Sequence, residues 1–253
     1  MKQHSSSSNA TLSNILLIAF AADAVLNLIA EAGDIQVLIW ATKPLLMILL
    51  CVYLWIHTAA FPSRYRLMYA LGLFFSFCGD VLLMLTKNNP ASEQLFLLGL
   101  ISFLLTHLCY IYANTSILNG FKNGYLFSKA WASLPLIVFW LALMALLWQG
   151  IPDPLKVPVG VYSFVITTMC LSTINLKRIV PAASFYFLVG GAILFMLSDS
   201  LIAFSKFRLQ TEAPGIRLAI MVTYIAGQYF IIKAAGHINN LIPSRGYATS
   251  TQK

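Results

Sequence analysis

Residues 185–204 read FYFLVGGAILFMLSDSLIAF, and residues 70–85 read ALGLFFSFCGDVLLML. Each stretch is almost entirely apolar, yet the first contains Asp199 and the second contains Asp80. About 20 mostly apolar residues suffice to cross the hydrocarbon core of a bilayer as a helix. A charged side chain at that depth costs at least about 2.5–3.5 kcal/mol on insertion scales, so an acid in such a helix is a functional candidate by default.

The composition extends this pattern to the whole chain. Of the 253 residues, 59% are hydrophobic and only 9% are charged, whereas a soluble domain is usually about 25% charged. The net charge of +8 does not indicate a nucleic-acid partner, because the basic residues lie in short loops between apolar runs. That pattern is typical of membrane proteins whose loops face anionic lipid headgroups.

We predict an all-α fold, a polytopic membrane bundle of eight transmembrane helices in a single domain at residues 12–238. Charges, proline, glycine and asparagine mark the breaks between apolar runs. Residues 1–11 are predicted to be a disordered N-terminal segment, and residues 239–253 a flexible C-terminal tail. The predicted spans are residues 12–30, 36–56, 67–86, 94–114, 131–149, 157–175, 183–204 and 216–235.

Loop charges predict the orientation, because lysine and arginine are enriched in cytoplasmic loops. With a cytoplasmic N-terminus, that side holds ten lysines and arginines, the other side holds five, and Lys43 lies inside a span. We therefore expect both termini to be cytoplasmic, in a bacterial inner membrane or another cellular membrane.

Polar residues in several spans fall at one predicted depth. At a rise of 1.5 Å per residue, a group of them lies roughly 8–12 Å below the outer surface, with Gln228 and His107 one or two turns deeper. A shared level predicts one polar pocket beneath the outer leaflet. The residues at this level are Asp23, Asn27, Lys43, Asp80, Tyr162, Asp199 and Tyr224.

Most of these residues have a structural interpretation as well. Lysine near a span end often reaches the headgroups, tyrosine is enriched at membrane interfaces, and polar side chains link helices. These interpretations apply to Lys43, to Tyr162 and Tyr224, and to His107 and Gln228. Asp23 could be a solvent-exposed residue at the end of its span. Ser198 could form a hydrogen bond within its own helix or orient Asp199. Glycines at 190, 191 and 227 favour close helix packing.

With these residues identified, the chain resembles the YhhN-like family of membrane proteins, which includes the lysoplasmalogenases. The resemblance covers most of the chain and rests on the order of several motifs. They are TKPL (42–45), FSFCGDVLL (75–83), GLISFLLTHLCY (99–110), GAILFMLSDSLIA (191–203), Phe207 and TYIAGQYFI (223–231). The resemblance implies hydrolysis of the vinyl ether bond of lysoplasmalogens, giving a fatty aldehyde and glycerophosphocholine or glycerophosphoethanolamine.

This chemistry agrees with the residues present. A vinyl ether is electron-rich and must be protonated on carbon before water adds, so the reaction needs an acid and a carboxylate rather than a serine nucleophile. The chain has Asp80 and Asp199 in apolar spans and no G-x-S-x-G nucleophile elbow. We expect the two acids to lie close together and share a proton, one as acid and one as base, in an assignment that the sequence leaves open.

A lysoplasmalogen also needs contacts for its phosphate and glycerol. Lys43 is the predicted phosphate ligand, and other polar residues are expected to contact the glycerol or orient the acids. The remaining predicted substrate-binding residues are Asp23, His107, Tyr110, Tyr162, Ser198, Tyr224 and Gln228. No cofactor or metal is predicted. The four cysteines lie in apolar runs without ligand spacing.

Three other functions are compatible with intramembrane acids. A proton-coupled lipid or small-molecule transporter would use them as a relay but would be expected to show inverted repeats. An intramembrane aspartyl protease would place its acids in Tyr-Asp and Gly-x-Gly-Asp contexts, which Ser198-Asp199 and Gly79-Asp80 do not match. A non-catalytic scaffold would tolerate loss of Asp80.

Overall fold

A computed structural model of the protein describes residues 2–57, 63–87, 89–118, 123–210 and 213–238. Regular structure in these ranges is entirely helical, and eight of the helices are long and apolar enough to cross a membrane. The predicted multi-pass all-α bundle is therefore confirmed. The helices are α1 (Lys2–Gly33), α2 (Gln36–His57), α3 (Ser63–Met84), α4 (Ser92–Ile117), the short α5 (Tyr125–Ser128), α6 (Leu134–Leu147), α7 (Asp153–Ile174), α8 (Ala182–Phe204) and α9 (Pro214–Ile238).

Three helices begin four or more residues before the predicted spans. Helix α3 begins at Ser63 rather than at residue 67. Helix α1 begins at Lys2, within the segment 1–11 that we predicted to be disordered. Serine is only a moderately weaker helix former than alanine, and a helix nucleated in the apolar part extends at small cost. Helix α7 begins at Asp153 because Pro154 occupies its first turn, where proline is tolerated. The predicted tail at 239–253 lies outside the described residues.

The helices that carry the candidate acids lie inside the bundle. Helix α3 packs along α4, α8 packs along α9, and α7 contacts both α4 and α8. Helices α1 and α2 contact α9, whereas α6 packs mainly on α7 and buries only Leu136 and Leu147. The interior is therefore formed by α2, α3, α4, α7, α8 and α9, and α6 exposes most of its apolar surface outward.

Helices α8 and α9 approach each other closely at two glycines. A Cβ atom at Gly191 would lie 2.8 Å from the carbonyl oxygen of Gly227, and one at Gly227 would lie 2.9 Å from the backbone nitrogen of Phe195. The predicted packing role of these two glycines is confirmed. Gly190 has no such role, because a Cβ atom there would have no neighbour within 4 Å.

The end of the bundle opposite the chain termini has an irregular backbone. Asp34, in the turn between α1 and α2, has φ of 53°, and Gln210 has φ of 50°. Gln210 follows a π-helical turn, Ser205–Leu209, that continues α8. Such π-helical turns are frequent at functional sites, and this end of the bundle contains the polar cavity described below.

Candidate active site

Asp199 lies where three helices meet. Its Oδ2 atom accepts a hydrogen bond from the hydroxyl of Tyr162 on α7. The same oxygen lies 3.2 Å from Nε2 of His107 on α4, and that nitrogen is 3.1 Å from the Tyr162 oxygen. His107 is fully buried and its Nδ1 atom has no partner. With its proton on Nε2, His107 is a second hydrogen-bond donor to the carboxylate.

Asp80 has one tyrosine partner of its own. Its Oδ2 atom accepts a hydrogen bond of 2.6 Å from the hydroxyl of Tyr224 on α9. Asp80, Tyr224 and Tyr162 are all buried. The interpretation of the two tyrosines as interface residues is therefore wrong, because each directs its hydroxyl into the protein toward an acid.

The two carboxylates are linked through aromatic side chains. The ring centroids of Tyr224 and Phe195 are 5.5 Å apart, and those of Phe195 and His107 are 4.8 Å apart. No hydrogen bond joins Asp80 to Asp199 among the described residues. The directly shared proton that we predicted is not the arrangement in the structure, because a tyrosine hydroxyl fills the bonding position at each acid.

Asp199 forms part of the wall of an apolar cavity between α3, α4, α6, α7 and α8. Tyr162 also lines this cavity, which we call the tail cavity, and so do Ser163 and Ser200. The rest of its wall is hydrophobic, which suits an acyl or alkenyl chain better than a polar solute. These wall residues are Leu83, Phe96, Leu100, Phe103, Leu143, Met144, Leu147, Val159, Ile166, Ile202, Ala203 and Phe207.

A second cavity, polar and wider, adjoins the tail cavity at the end of the bundle away from the termini. We call it the vestibule. Its charged lining residues are Glu31, Asp34, Lys43, Lys87, Lys206 and Arg217. The remaining lining residues are Gln36, Ile39, Leu83, Met84, Thr86, Phe96, Ile202, Ser205, Gln210, Ile220 and Met221.

The two cavities share three wall residues, Leu83, Phe96 and Ile202. Leu83 lies three residues after Asp80 on α3, and Ile202 lies three residues after Asp199 on α8. Residues three apart are neighbours on one face of a helix. Both acids are therefore one turn along their helices from the wall where the cavities meet; Asp199 itself lines the tail cavity, whereas Asp80 lines neither cavity.

Both carboxylates that line the vestibule form ion pairs. Glu31 lies 3.8 Å from Lys43 and 3.7 Å from Arg217, and Arg217 also lies 3.4 Å from Asp34. Lys87 donates to both oxygens of Asp34 at 3.0 and 3.1 Å. The hydrogen bond from Lys87, together with the charge of Arg217, lowers the pKa of Asp34. Asp34 is therefore ionised at neutral pH.

Lys43, which we predicted to be a phosphate ligand, is a residue of the vestibule wall. It lines the vestibule and its side chain is only 14% exposed. Its Nζ atom lies 3.8 Å from Glu31. This contact does not favour the interpretation in which the Lys43 side chain extends to the lipid headgroups.

Tyr110 and Gln228 lie deeper and line neither cavity. Tyr110 donates to Gln228 Oε1 at 2.8 Å, and Gln228 Nε2 donates to Ser76 Oγ at 2.8 Å. Ser76 Oγ is 3.1 Å from Thr106 Oγ1. This buried chain connects α3, α4 and α9, so the structure favours the helix-linking interpretation of Gln228 over substrate contact.

Ser198 and Asp23 are also outside the two cavities. Ser198 donates to the carbonyl oxygen of Ile220 on α9 at 3.1 Å, so its hydroxyl links two helices and does not orient Asp199. Asp23 is buried, which excludes the solvated position suggested by its sequence, and its Oδ2 atom has no partner. Among the described residues, no hydrogen bond or ion pair joins Asp23 to either catalytic candidate.

Most residues of the vestibule do not stand out in the sequence. Glu31, Asp34, Lys206 and Arg217 lie next to the ends of predicted spans, where charged residues are common. The sequence does show that charged residues lie beside the ends of four predicted spans, all on the same predicted side of the membrane. Nothing in the sequence indicated that these ends converge on one cavity.

Comparison with known proteins identifies the family. The YhhN family model matches residues 38–235, which include all the motifs on which the resemblance was based. No solved structure matches the chain. The protein belongs to the YhhN family.

Proposed function

We propose that this YhhN-family protein is a membrane hydrolase that cleaves the vinyl ether bond of lysoplasmalogens. The products are a fatty aldehyde and a glycerophosphate diester such as glycerophosphocholine or glycerophosphoethanolamine. Family membership is consistent with this activity. The observation that carries the proposal is a partly buried acid, Asp199, on the wall of an apolar cavity that adjoins a cation-lined vestibule.

The two cavities match the two halves of a single-chain lipid. The tail cavity suits the alkenyl chain chemically, because almost all of its wall is hydrophobic. The phosphate fits the vestibule, where lysine and arginine are available as ligands. The vinyl ether and glycerol then lie at the shared wall, one helical turn from Asp80 and Asp199.

The hydrogen bonds suggest different roles for the two acids. Asp199 accepts from Tyr162 and, with the Nε2 tautomer, from His107. An acid held by two donors is fixed in place to stabilise the oxocarbenium ion and to accept a proton from the attacking water. Among the described residues, Asp80 accepts only from Tyr224. We assign Asp80 as the acid that protonates the alkenyl carbon.

The reaction sequence balances without any further reactant. Asp80 gives its proton to the alkenyl carbon distal to oxygen, and the ether oxygen shares the positive charge. Water attacks the carbon attached to that oxygen and loses a proton to Asp199. As the hemiacetal collapses, Asp199 returns its proton to the departing glycerol oxygen and the hemiacetal hydroxyl gives its proton to Asp80. The products are the aldehyde and the glycerol hydroxyl, both acids regain their starting states, and the net reaction consumes one water per lipid.

The direct test is aldehyde release by purified protein. A lysoplasmalogen should yield aldehyde, whereas its saturated ether analogue should be inert because it has no alkenyl carbon to protonate. In D₂O, aldehyde trapped by reduction should carry one deuterium on the carbon next to the former carbonyl. Absence of aldehyde, together with movement of intact lipid between vesicles, would favour the transporter function instead.

A further inference from the structure

We propose that Phe103 is a further catalytic residue, whose aromatic ring stabilises the positive charge that forms on the substrate beside Asp80 and Asp199. The face of an aromatic ring attracts a cation within about 6 Å, because its π electrons carry partial negative charge. The proposal rests on the proposed function for the identity of that cation, an oxocarbenium ion. It assigns a chemical role to a hydrophobic residue of the tail cavity.

The first argument is that Phe103 connects the tail cavity with the surroundings of Asp80. Its buried side chain lines that cavity. The ring packs on the backbone of α3 at Gly79, the residue before Asp80, where a Cβ atom would lie 2.6 Å from Cε2 of Phe103. The ring centroids of Phe103 and Tyr224 are 6.0 Å apart. Tyr224 is the hydrogen-bond partner of Asp80, so Phe103 neighbours the acid that lines neither cavity.

The second argument is that the same ring lies close to the group that holds Asp199. Phe103 and His107 are four residues apart on α4, so they share one face of that helix. Nε2 of His107 is 3.2 Å from the Asp199 carboxylate. The ring of Phe195 contacts both side chains, with centroids 6.2 Å from Phe103 and 4.8 Å from His107. Phe103 therefore belongs to the surroundings of both acids.

The third argument is that the other aromatic residues of the described tail-cavity wall are already engaged. The Nζ atom of Lys206 lies 4.2 Å from the ring centroid of Phe96. Phe207 packs on Phe96, with centroids 6.3 Å apart, and Tyr162 directs its hydroxyl to Asp199. In this part of the chain, Phe103 is thus the aromatic wall residue placed near both acids.

The proposed reaction creates a cation at this wall. Once Asp80 has given its proton to the alkenyl carbon, the ether oxygen and its attached carbon share one positive charge. A ring that interacts more strongly with this charge than with the neutral ether lowers the barrier. Phe103 forms no bond and exchanges no proton. An aliphatic residue would give the same hydrophobic contact without the attraction for the cation.

The experiment compares two lipids that cannot be cleaved and that differ by one charge. The first is 1-O-alkyl-glycero-3-phosphocholine. In the second, an NH group replaces the ether oxygen and gives a secondary amine that is protonated at neutral pH. Both are titrated into purified full-length protein in nonionic detergent. Their headgroups are identical, so a difference in affinity reports the charge beside the acids, and we expect the amine to bind about tenfold more tightly.

Replacing Phe103 with a trifluorinated phenylalanine isolates the contribution of the ring. Fluorine keeps the shape of the side chain but withdraws electron density from its face. The preference for the amine should fall about fivefold, while affinity for the ether stays unchanged. With lysoplasmalogen as substrate, kcat should fall by a similar factor at constant KM.

Natural substitutions provide the matched controls. Phe103→Leu should lose the preference and Phe103→Tyr should retain it. Phe20→Leu should have no effect, because Phe20 is also buried and stacks on Tyr229 but lines neither cavity. Thermal unfolding in detergent verifies the fold of each variant. If Phe103→Leu fails to fold, the fluorinated side chain, which has nearly the native shape, still tests the proposal.

The outcomes separate this inference from the proposed function. A preference for the amine that is unchanged by fluorination, or an amine that binds no better than the ether, would overturn the inference even if lysoplasmalogens are cleaved. A preference that falls on fluorination would support stabilisation of a cation by Phe103 even if no aldehyde is ever released, in which case the proposed function alone would fail.

Discussion

Each acid in this protein is held by a tyrosine from a different helix. Asp199 accepts from Tyr162 and Asp80 accepts from Tyr224, so neither carboxylate is left unpaired in the interior. A buried carboxylate without donors would carry a large desolvation cost. The hydrogen bonds from the tyrosines therefore reduce the desolvation cost of two intramembrane acids, and Asp199 still lines the tail cavity.

Replacing either acid with asparagine should abolish vinyl ether hydrolysis. Asparagine keeps the shape and still accepts from tyrosine, but it neither donates a proton to carbon nor accepts one from water. We expect aldehyde release by Asp80→Asn and by Asp199→Asn to fall by about 10²–10⁴. Thermal unfolding in detergent would verify that both variants are folded, and substantial turnover by either one would refute the assigned chemistry.

Tyr162→Phe should impair catalysis more than it impairs folding. It removes one of two donors to Asp199 while His107 remains in place. Hydrogen bonds to charged groups contribute about 1.5–3 kcal/mol, so turnover should decrease about 10- to 100-fold. The matched control is Tyr69→Phe, which removes a buried hydroxyl that donates to Asn114 at 2.7 Å, outside both cavities. Equal turnover in the two variants would argue against a role for Tyr162.

At the scale of elements, the contact between α8 and α9 determines where the acids lie. The close approach of α8 and α9 at Gly191 and Gly227 positions Asp199 on α8 and Tyr224 on α9. The atoms facing these glycines are backbone atoms, which cannot move aside as a side chain can. Small residues at such contacts allow helices in membranes to pack closely.

Gly191→Ala should therefore destabilise the protein, and Gly190→Ala should not. The new methyl group at 191 would lie 2.8 Å from backbone atoms of α9, whereas the one at 190 would meet no atom within 4 Å. Overpacking typically costs 1–3 kcal/mol, while alanine in an open helical position gains up to about 1 kcal/mol. Unfolding temperatures in detergent would measure both effects, and similar values for the two variants would contradict the packing argument.

At the scale of the molecule, the vestibule lies at one end of the bundle, and the start of α1 and the end of α9 lie at the other. The vestibule is formed by the ends of α1, α3 and α8 and the starts of α2, α4 and α9. Eight crossings place the two ends of the spanning region on the same side of a membrane. Loop charges predict that this side is the cytoplasm.

Reporter fusions would test this orientation. Green fluorescent protein at the C-terminus should fluoresce, because it matures in the cytoplasm. Alkaline phosphatase joined after Asn89, in the turn between α3 and α4, should be active because that turn is predicted to lie outside. The reverse pattern would place the vestibule on the cytoplasmic side and would leave the geometry of the site unchanged.

The sequence by itself determined the class of fold and the two acids. Twenty-residue apolar runs are a local property, and α2 and α8 begin and end within one residue of the predicted spans. Asp80 and Asp199 were conspicuous because the residues around them in sequence are apolar. These inferences needed no knowledge of how the helices pack.

Only the tertiary structure decided which polar residues form the site. Tyr110, Gln228 and Ser198 are polar residues within apolar spans, as Tyr162 and Tyr224 are, yet they bond to other groups instead of the acids. The rotation of each helix and the identity of its neighbours determine these partners, and both depend on contacts between residues far apart in the chain, such as Gly191 with Gly227. The vestibule likewise exists only because six helix ends converge, which no single segment encodes.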